Sequence, residues 1–123
     1  MNSYERLDAW QVAHRFVLLI YRTTRSFPPE ERFGLSSQLR RAAFAVAANI
    51  VEGSAKKGPR EFRRYLDIAV GSVAELRYTL RLVRDLDLIS ESDLAELEAL
   101  RDQVGRLTWG LYASMRRAIA RTE

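Results

Sequence analysis

The chain has 123 residues, of which 47% are hydrophobic and 29% charged, with six glycines and three prolines; this is enough to bury a core without crosslinks and too apolar for a disordered segment. It has no cysteine, which excludes disulfide scaffolds, thiolate nucleophiles and cysteine-ligated zinc or iron–sulfur centres. Twenty basic against sixteen acidic residues give a net charge of +4, an excess that permits an anionic partner without demanding one.

The amino terminus carries Glu5, Arg6 and Asp8 where a signal peptide would need an apolar core, and no uncharged apolar run is long enough to span a membrane. The expectation is one cytoplasmic domain with no membrane contact. By segment, residues 1–33 carry +1, 34–57 carry +3, 58–89 carry +1 and 90–123 carry −1. The excess therefore gathers in the second segment and its exit.

The first run, about residues 5–26, places Trp10, Ala13, Val17, Ile20 and Thr24 on one helical face. Phe27-Pro28-Pro29 ends it, because proline withholds an amide and restricts its predecessor. The second helix, about 35–53, carries Leu35, Leu39, Ala42, Val46 and Asn49 at the same spacing, with Gly53 as its stop. The third, about 59–87, starts at a favoured first-turn proline and repeats Phe62, Leu66, Ala69, Val73, Leu76, Leu80 and Val83 over three heptads. Ser90 with Asp93 caps the fourth, about 91–121, whose core face is Leu97, Leu100, Val104, Leu107, Leu111 and Met115. Four helices with short connections predict an all-α, antiparallel up-down-up-down four-helix bundle; an irregular α-domain is the alternative.

Three helices carry a second apolar stripe: Ala9, Val12, Phe16 and Leu19 on the first, Phe44, Ala47, Ala48 and Val51 on the second, Trp109 and Tyr112 on the fourth. Surplus apolar surface marks an interface, so a homo-oligomer is expected, with Val12, Phe16, Leu19, Phe44, Val51, Trp109 and Tyr112 as its contacts. Wide faces serving one thick core are the simpler alternative. Asn49 falls at a core position, where its amide should bond across helices and fix register. Glu52 and Glu75 are expected to pair with Arg40 or Arg41.

A carboxylate-bridged di-metal site would need two Glu-x-x-His motifs, and the chain has one histidine, His14, without them. No phosphate-binding glycine loop or nucleophile elbow occurs. Neither metal, cofactor nor catalytic residue is expected. The functional candidate is Lys56, Lys57, Arg60, Arg63 and Arg64, five cations in nine positions with Glu61 as the one acid among them. At a helix amino terminus, free amides and the dipole add to their attraction for phosphate. A solvated surface is the plain alternative.

Five stretches, Leu7-Asp8-Ala9-Trp10-Gln11-Val12-Ala13, Phe27-Pro28-Pro29-Glu30-Glu31, Gly34-Leu35-Ser36-Ser37-Gln38-Leu39-Arg40-Arg41-Ala42, Asn49-Ile50-Val51-Glu52-Gly53 and Gly71-Ser72-Val73-Ala74-Glu75-Leu76, together resemble one family. It is the bacterial four-helix bundle proteins encoded by intervening sequences of large-subunit ribosomal RNA genes. The resemblance covers about residues 5–90; the fourth helix matches only in being amphipathic. It implies a small bundle assembling as a ring, a pentamer, without enzymatic activity. It also implies kinship with the accessory variability proteins of diversity-generating retroelements, which bind a reverse transcriptase and nucleic acid through basic surfaces. Arg40, Arg41, Asn49, Glu52 and Glu75 match family motif positions and are read as an interhelical polar network. Near members often have Ser and Pro where this chain has Ala45, Ala47 and Ala48, so the second helix should be straighter. Two functions follow as expectations: a non-catalytic bundle binding structured RNA or DNA through the five cations, or a protein–protein adaptor whose basic patch is incidental.

Overall fold

The computed structural model describes residues 3–122. A 3-10 turn at Ser3–Arg6 leads into α1 (Asp8–Thr24), and a second at Pro29–Glu31 leads into α2 (Leu35–Ser54). Then come α3 (Gly58–Asp85) and α4 (Glu91–Thr122). Each helix packs on its chain neighbours and α1 also packs on α4, while the backbones of α1/α3 and α2/α4 do not approach closely and so form the diagonals of a square. With each connection joining adjacent helices this is the antiparallel up-down-up-down four-helix bundle.

The core follows the heptads most closely on α3, where Leu66, Ala69, Val73, Leu76, Leu80 and Val83 are all buried and Phe62 half-buried. Across from it lie Leu39, Ala42, Ala43, Val46 and Ile50 of α2 and Leu94, Leu97 and Val104 of α4. Leu100, Leu107, Leu111 and Met115 of α4 pack on its margin.

The first helix departs from expectation. Val12, Phe16 and Leu19, assigned from sequence to an oligomer interface, are buried inside the single chain, Phe16 at 1% exposure; Trp10 and Val17 of the expected core stripe are only half-buried. Because α1 packs against both α2 and α4, its buried arc spans both stripes. The alanine-rich inner face of α2 offers little volume, and the bulky side chains of α1 fill the space.

Gly53 also differs from its expected role. Helix α2 runs through it to Ser54, and positive φ belongs to Gly58 instead, at 81°. A Cβ at Gly53 would lie 2.8 Å from Phe62 Cδ1 and 3.0 Å from Tyr65 Cβ, so the glycine serves the close approach of α2 to α3. The exit from α3 uses no glycine. Asp87 takes φ 57°, its amide donates to the Arg84 carbonyl at 3.0 Å and that of Leu88 to Val83 at 3.2 Å, the paired bonds of a Schellman ending. Ser90 Oγ accepts from the Asp93 amide at 3.2 Å and caps α4.

Among the described residues, two buried side-chain polar atoms lack a partner, Arg101 Nη1 and Thr108 Oγ1. Both sit on the core stripe of α4, and Thr108 is fully buried. A sealed hydroxyl without a bond carries a desolvation cost. Thr108→Val is expected to raise stability by about 1 kcal/mol, read from the denaturant midpoint at unchanged slope.

Candidate nucleic-acid interface

The turn from α2 to α3 exposes Lys56 and Lys57, and the first two turns of α3 expose Arg60, Arg63 and Arg64. Lys57 stands at the N-cap without a side-chain cap, and Pro59 occupies the first turn, so the first amides of α3 are left for water or an anion. Glu61 pairs with Arg64 at 3.3 Å, both largely exposed. Lys56 Nζ and Arg64 Cζ each lie 5.5 Å from the centroid of the Tyr65 ring, so that ring braces cations.

The fold adds residues that the sequence reading missed. Opposing positions on α3 and α4 run in antiparallel register: Val73 meets Gly105, and one groove joins Val70 and Arg77 to Trp109 and Asp102. Helices of 28 and 32 residues rise roughly 42 and 48 Å, which returns the end of α4 to the start of α3. Arg116, Arg117 and Arg121 thereby join the basic turn. Segment 90–123 summed to −1 because its two halves cancel: Glu91, Asp93, Glu96, Glu98 and Asp102 occupy the first part, and no acidic residue lies between 103 and 122. The signal was present in the order of charges along α4. Glu52, Glu61 and Asp67 temper the basic end, while at the opposite end Asp85, Asp87 and the acidic start of α4 stand with the arginines of the α1/α2 connection, so the charge there is mixed. There the Asp85 carboxyl is held below its ordinary value by a hydrogen bond from Arg84 and, more weakly, by Arg81.

The expected interhelical network resolves into two separate contacts. Arg41 Nη2 reaches Glu75 Oε2 at 3.2 Å between α2 and α3 and also donates to Gln38. Arg40 turns to α1, donating from Nε to Thr24 Oγ1 at 2.9 Å with its guanidinium 4.7 Å from the Tyr21 ring centroid. Asn49 is half-buried and donates to the Ala45 carbonyl of its own helix at 2.7 Å, so it does not bridge helices. Glu52 is exposed and pairs with neither Arg40 nor Arg41. Of the expected contact residues, Phe44 is 61% and Trp109 54% exposed, while Val51 and Tyr112 are half-buried; Trp109 stacks on Tyr112 at 5.3 Å. His14 is exposed and stacks on Trp10 at 5.0 Å. Among the described residues no three His, Asp or Glu side chains gather as metal ligands, and no helix is long and apolar enough to cross a membrane.

These features define an all-α four-helix bundle with cations from three chain segments at one end. The chain belongs to the 23S rRNA-intervening sequence protein family, whose model matches residues 5–110. The match runs about two-thirds of the way along α4, beyond the stretch where the resemblance is legible by eye. Among solved structures the chain is similar to the crystal structure of a protein of unknown function from the S23 ribosomal protein family of Bacteroides thetaiotaomicron VPI-5482. The two share 18% identity over 85% of this chain and 95% of that one, with a TM-score of 0.76. That likeness carries the fold. No curated protein matches the chain, and neither family description names a reaction.

The Arg41–Glu75 pair is solvent-exposed on both sides, so a double-mutant cycle with alanine at each position is expected to yield roughly 0.2–1 kcal/mol of coupling, smaller at high salt.

Proposed function

We propose that this chain is a non-catalytic, cytoplasmic bundle that assembles side by side into a ring, a pentamer, and holds structured RNA or DNA against its basic end. The observation that carries the reading is the convergence of Lys56, Lys57, Arg60, Arg63 and Arg64 with Arg116, Arg117 and Arg121 at one end of the bundle. Exposed cations around a helix amino terminus recognise phosphate and not base sequence. Tyr65, with cations beside its ring, offers little to a stacking base.

Assembly is supported by two apolar patches. One lies on the α1/α2 face and holds Tyr21, Phe33 and Phe44 among Arg32, Arg40 and Arg41, with Phe33 88% exposed. The other is a groove of about 420 Å³ on the α3/α4 face, with Trp109 as its wall and Val70, Val73, Ala74 and Gly105 on its floor. These faces are opposite sides of the square, so copies that pack one patch against the other associate head to tail, and such contacts close into rings when the rotation permits. Arg41 meeting Glu75 and Val73 meeting Gly105 set Phe44 level with the groove, with Tyr21 and Phe33 nearer the α1/α2 connection. Side-by-side docking at that height gathers every basic end on one rim, which multiplies phosphate contacts. A protein partner, such as the reverse transcriptase that the resemblance implies, would meet the same apolar faces; an adaptor is therefore the second reading.

Substituting Lys56, Lys57, Arg60, Arg63 and Arg64 by Glu separates the two. Binding of structured RNA or duplex DNA by the parent protein should fall steeply between about 50 and 200 mM salt and vanish in the variant. No binding even at the lower salt leaves the adaptor as the better reading. Sedimentation tests assembly independently: the parent should be oligomeric, and Phe44→Glu or Trp109→Glu should dissociate it, whereas a monomeric parent sinks the ring.

A further inference from the structure

A different arginine cluster lies at the far end of the bundle, where α1 hands over to α2. A recess of about 270 Å³ there is lined by Arg25, Arg32 and Arg40 together with Thr24 and Ser36, and by no carboxylate. The three cations come from separate places. Arg25 follows the last residue of α1, Arg32 follows the Pro29–Glu31 turn, and Arg40 lies in the second turn of α2.

Arg40 is braced. Its Nε donates to Thr24 Oγ1 at 2.9 Å, that hydroxyl donates to the Ile20 carbonyl at 2.7 Å, and Tyr21 supports the guanidinium from one face. Arg32 rests on the Phe33 ring at 5.5 Å. Neither Arg25 nor Arg32 has an acidic partner among the described residues, although Glu30 and Glu31 lie in the same turn. Glu31 is held at the edge of the recess: its carboxylate accepts from the Leu35 amide at 3.3 Å and so occupies the first amide of α2. It fits there because Gly34 has no Cβ, which would lie 2.8 Å from Glu31 Oε1.

Ser36 supplies the independent signal. It is 6% exposed and lines the recess, yet its hydroxyl has no hydrogen-bond partner among the described residues. It is also not one of the atoms sealed from solvent. This largely buried hydroxyl opens onto a recess lined by the three arginines and by Phe27, Pro28 and Pro29, where an acceptor would complete it, and beside it lie the α2 amides that follow the one taken by Glu31. Planar guanidinium forks, a hydroxyl donor and helix amides together match the oxygens of a phosphate.

We infer that this recess binds a phosphate group, either inorganic phosphate or the terminal phosphate of an oligonucleotide. The site is separate from the basic end and does not rest on the function proposed there. Its test is a titration of the isotope-labelled full chain with sodium phosphate against sodium chloride at matched ionic strength, following the Ser36 amide and the Arg40 side-chain Nε–H signals.

Saturable, phosphate-specific shifts are expected, with affinity weakened roughly tenfold or more in Arg25→Ala/Arg32→Ala and less in Ser36→Ala. Arg25 and Arg32 are exposed, so their variants should melt with the parent protein in phosphate-free buffer; if the double variant does not, Arg25→Ala alone provides the comparison. The five-residue charge reversal at the other end should keep the site intact. A second arm compares one oligonucleotide with and without a 5′-phosphate. Preference for the phosphorylated form, abolished in the arginine variant, identifies a terminal phosphate as the source, and equal binding identifies free phosphate. Shifts that match chloride, that survive the arginine substitutions, or that disappear with the charge reversal would overturn the site.

Discussion

The close approach of α2 and α3 at Gly53 sets the geometry of the basic end. With no side chain there, the Phe62 ring and the Tyr65 backbone-proximal atoms close over the last turn of α2, and only Ala55, Lys56 and Lys57 are needed to turn the chain. So short a turn leaves its lysines no route into the protein. It also puts Tyr65 within reach of Lys56 on one side and Arg64 on the other. Gly105 does a gentler version of the same work between α3 and α4, where a Cβ would stand 3.3 Å from Val73. Both glycines matter because a side chain there would collide, and neither needs a left-handed backbone.

What was legible in the sequence follows from how local the determining physics is. The α3 stripe could be read residue by residue because its heptads run unbroken for nearly the whole helix and both its neighbours lie to the same inner side. In the first helix periodicity reports an apolar face but not how many partners share it, so Phe16 and Val12 look like surplus in the sequence and yet belong to a broad buried arc. The end of α3 carried no glycine to announce it, and an aspartate in the left-handed region did the work. Asn49 was expected to reach across helices, but a short amide side chain finds the carbonyl one turn back in its own helix more readily.

The polar site residues divide along the same line. Arg41 and Glu75 could be paired from sequence because antiparallel neighbours fix which turns face each other. Arg40 could not, since its partner Thr24 lies on the preceding helix and looked like an ordinary member of an apolar stripe. The arginines at the end of α4 were hidden by arithmetic, because a helix whose two halves carry opposite charge sums to nearly nothing. The two cation groups also differ in kind. Those at the basic end are exposed and spread over a turn and two helix ends, suited to an extended polyanion; Arg40 is clamped by a hydroxyl and an aromatic face, which suits a small ligand of fixed geometry.

The order of charges along α4 also bears on how the molecule behaves as a whole. A net charge of +4 describes a sphere, whereas this bundle is a rod whose surplus of cations gathers at one end while the charges at the other are mixed. Such a rod meets an anionic surface end-on, so a cation exchanger near neutral pH should retain it more strongly than an even spread of the same charge would explain. That retention should follow the residues of the basic end and be nearly indifferent to substitutions along the middle of the rod.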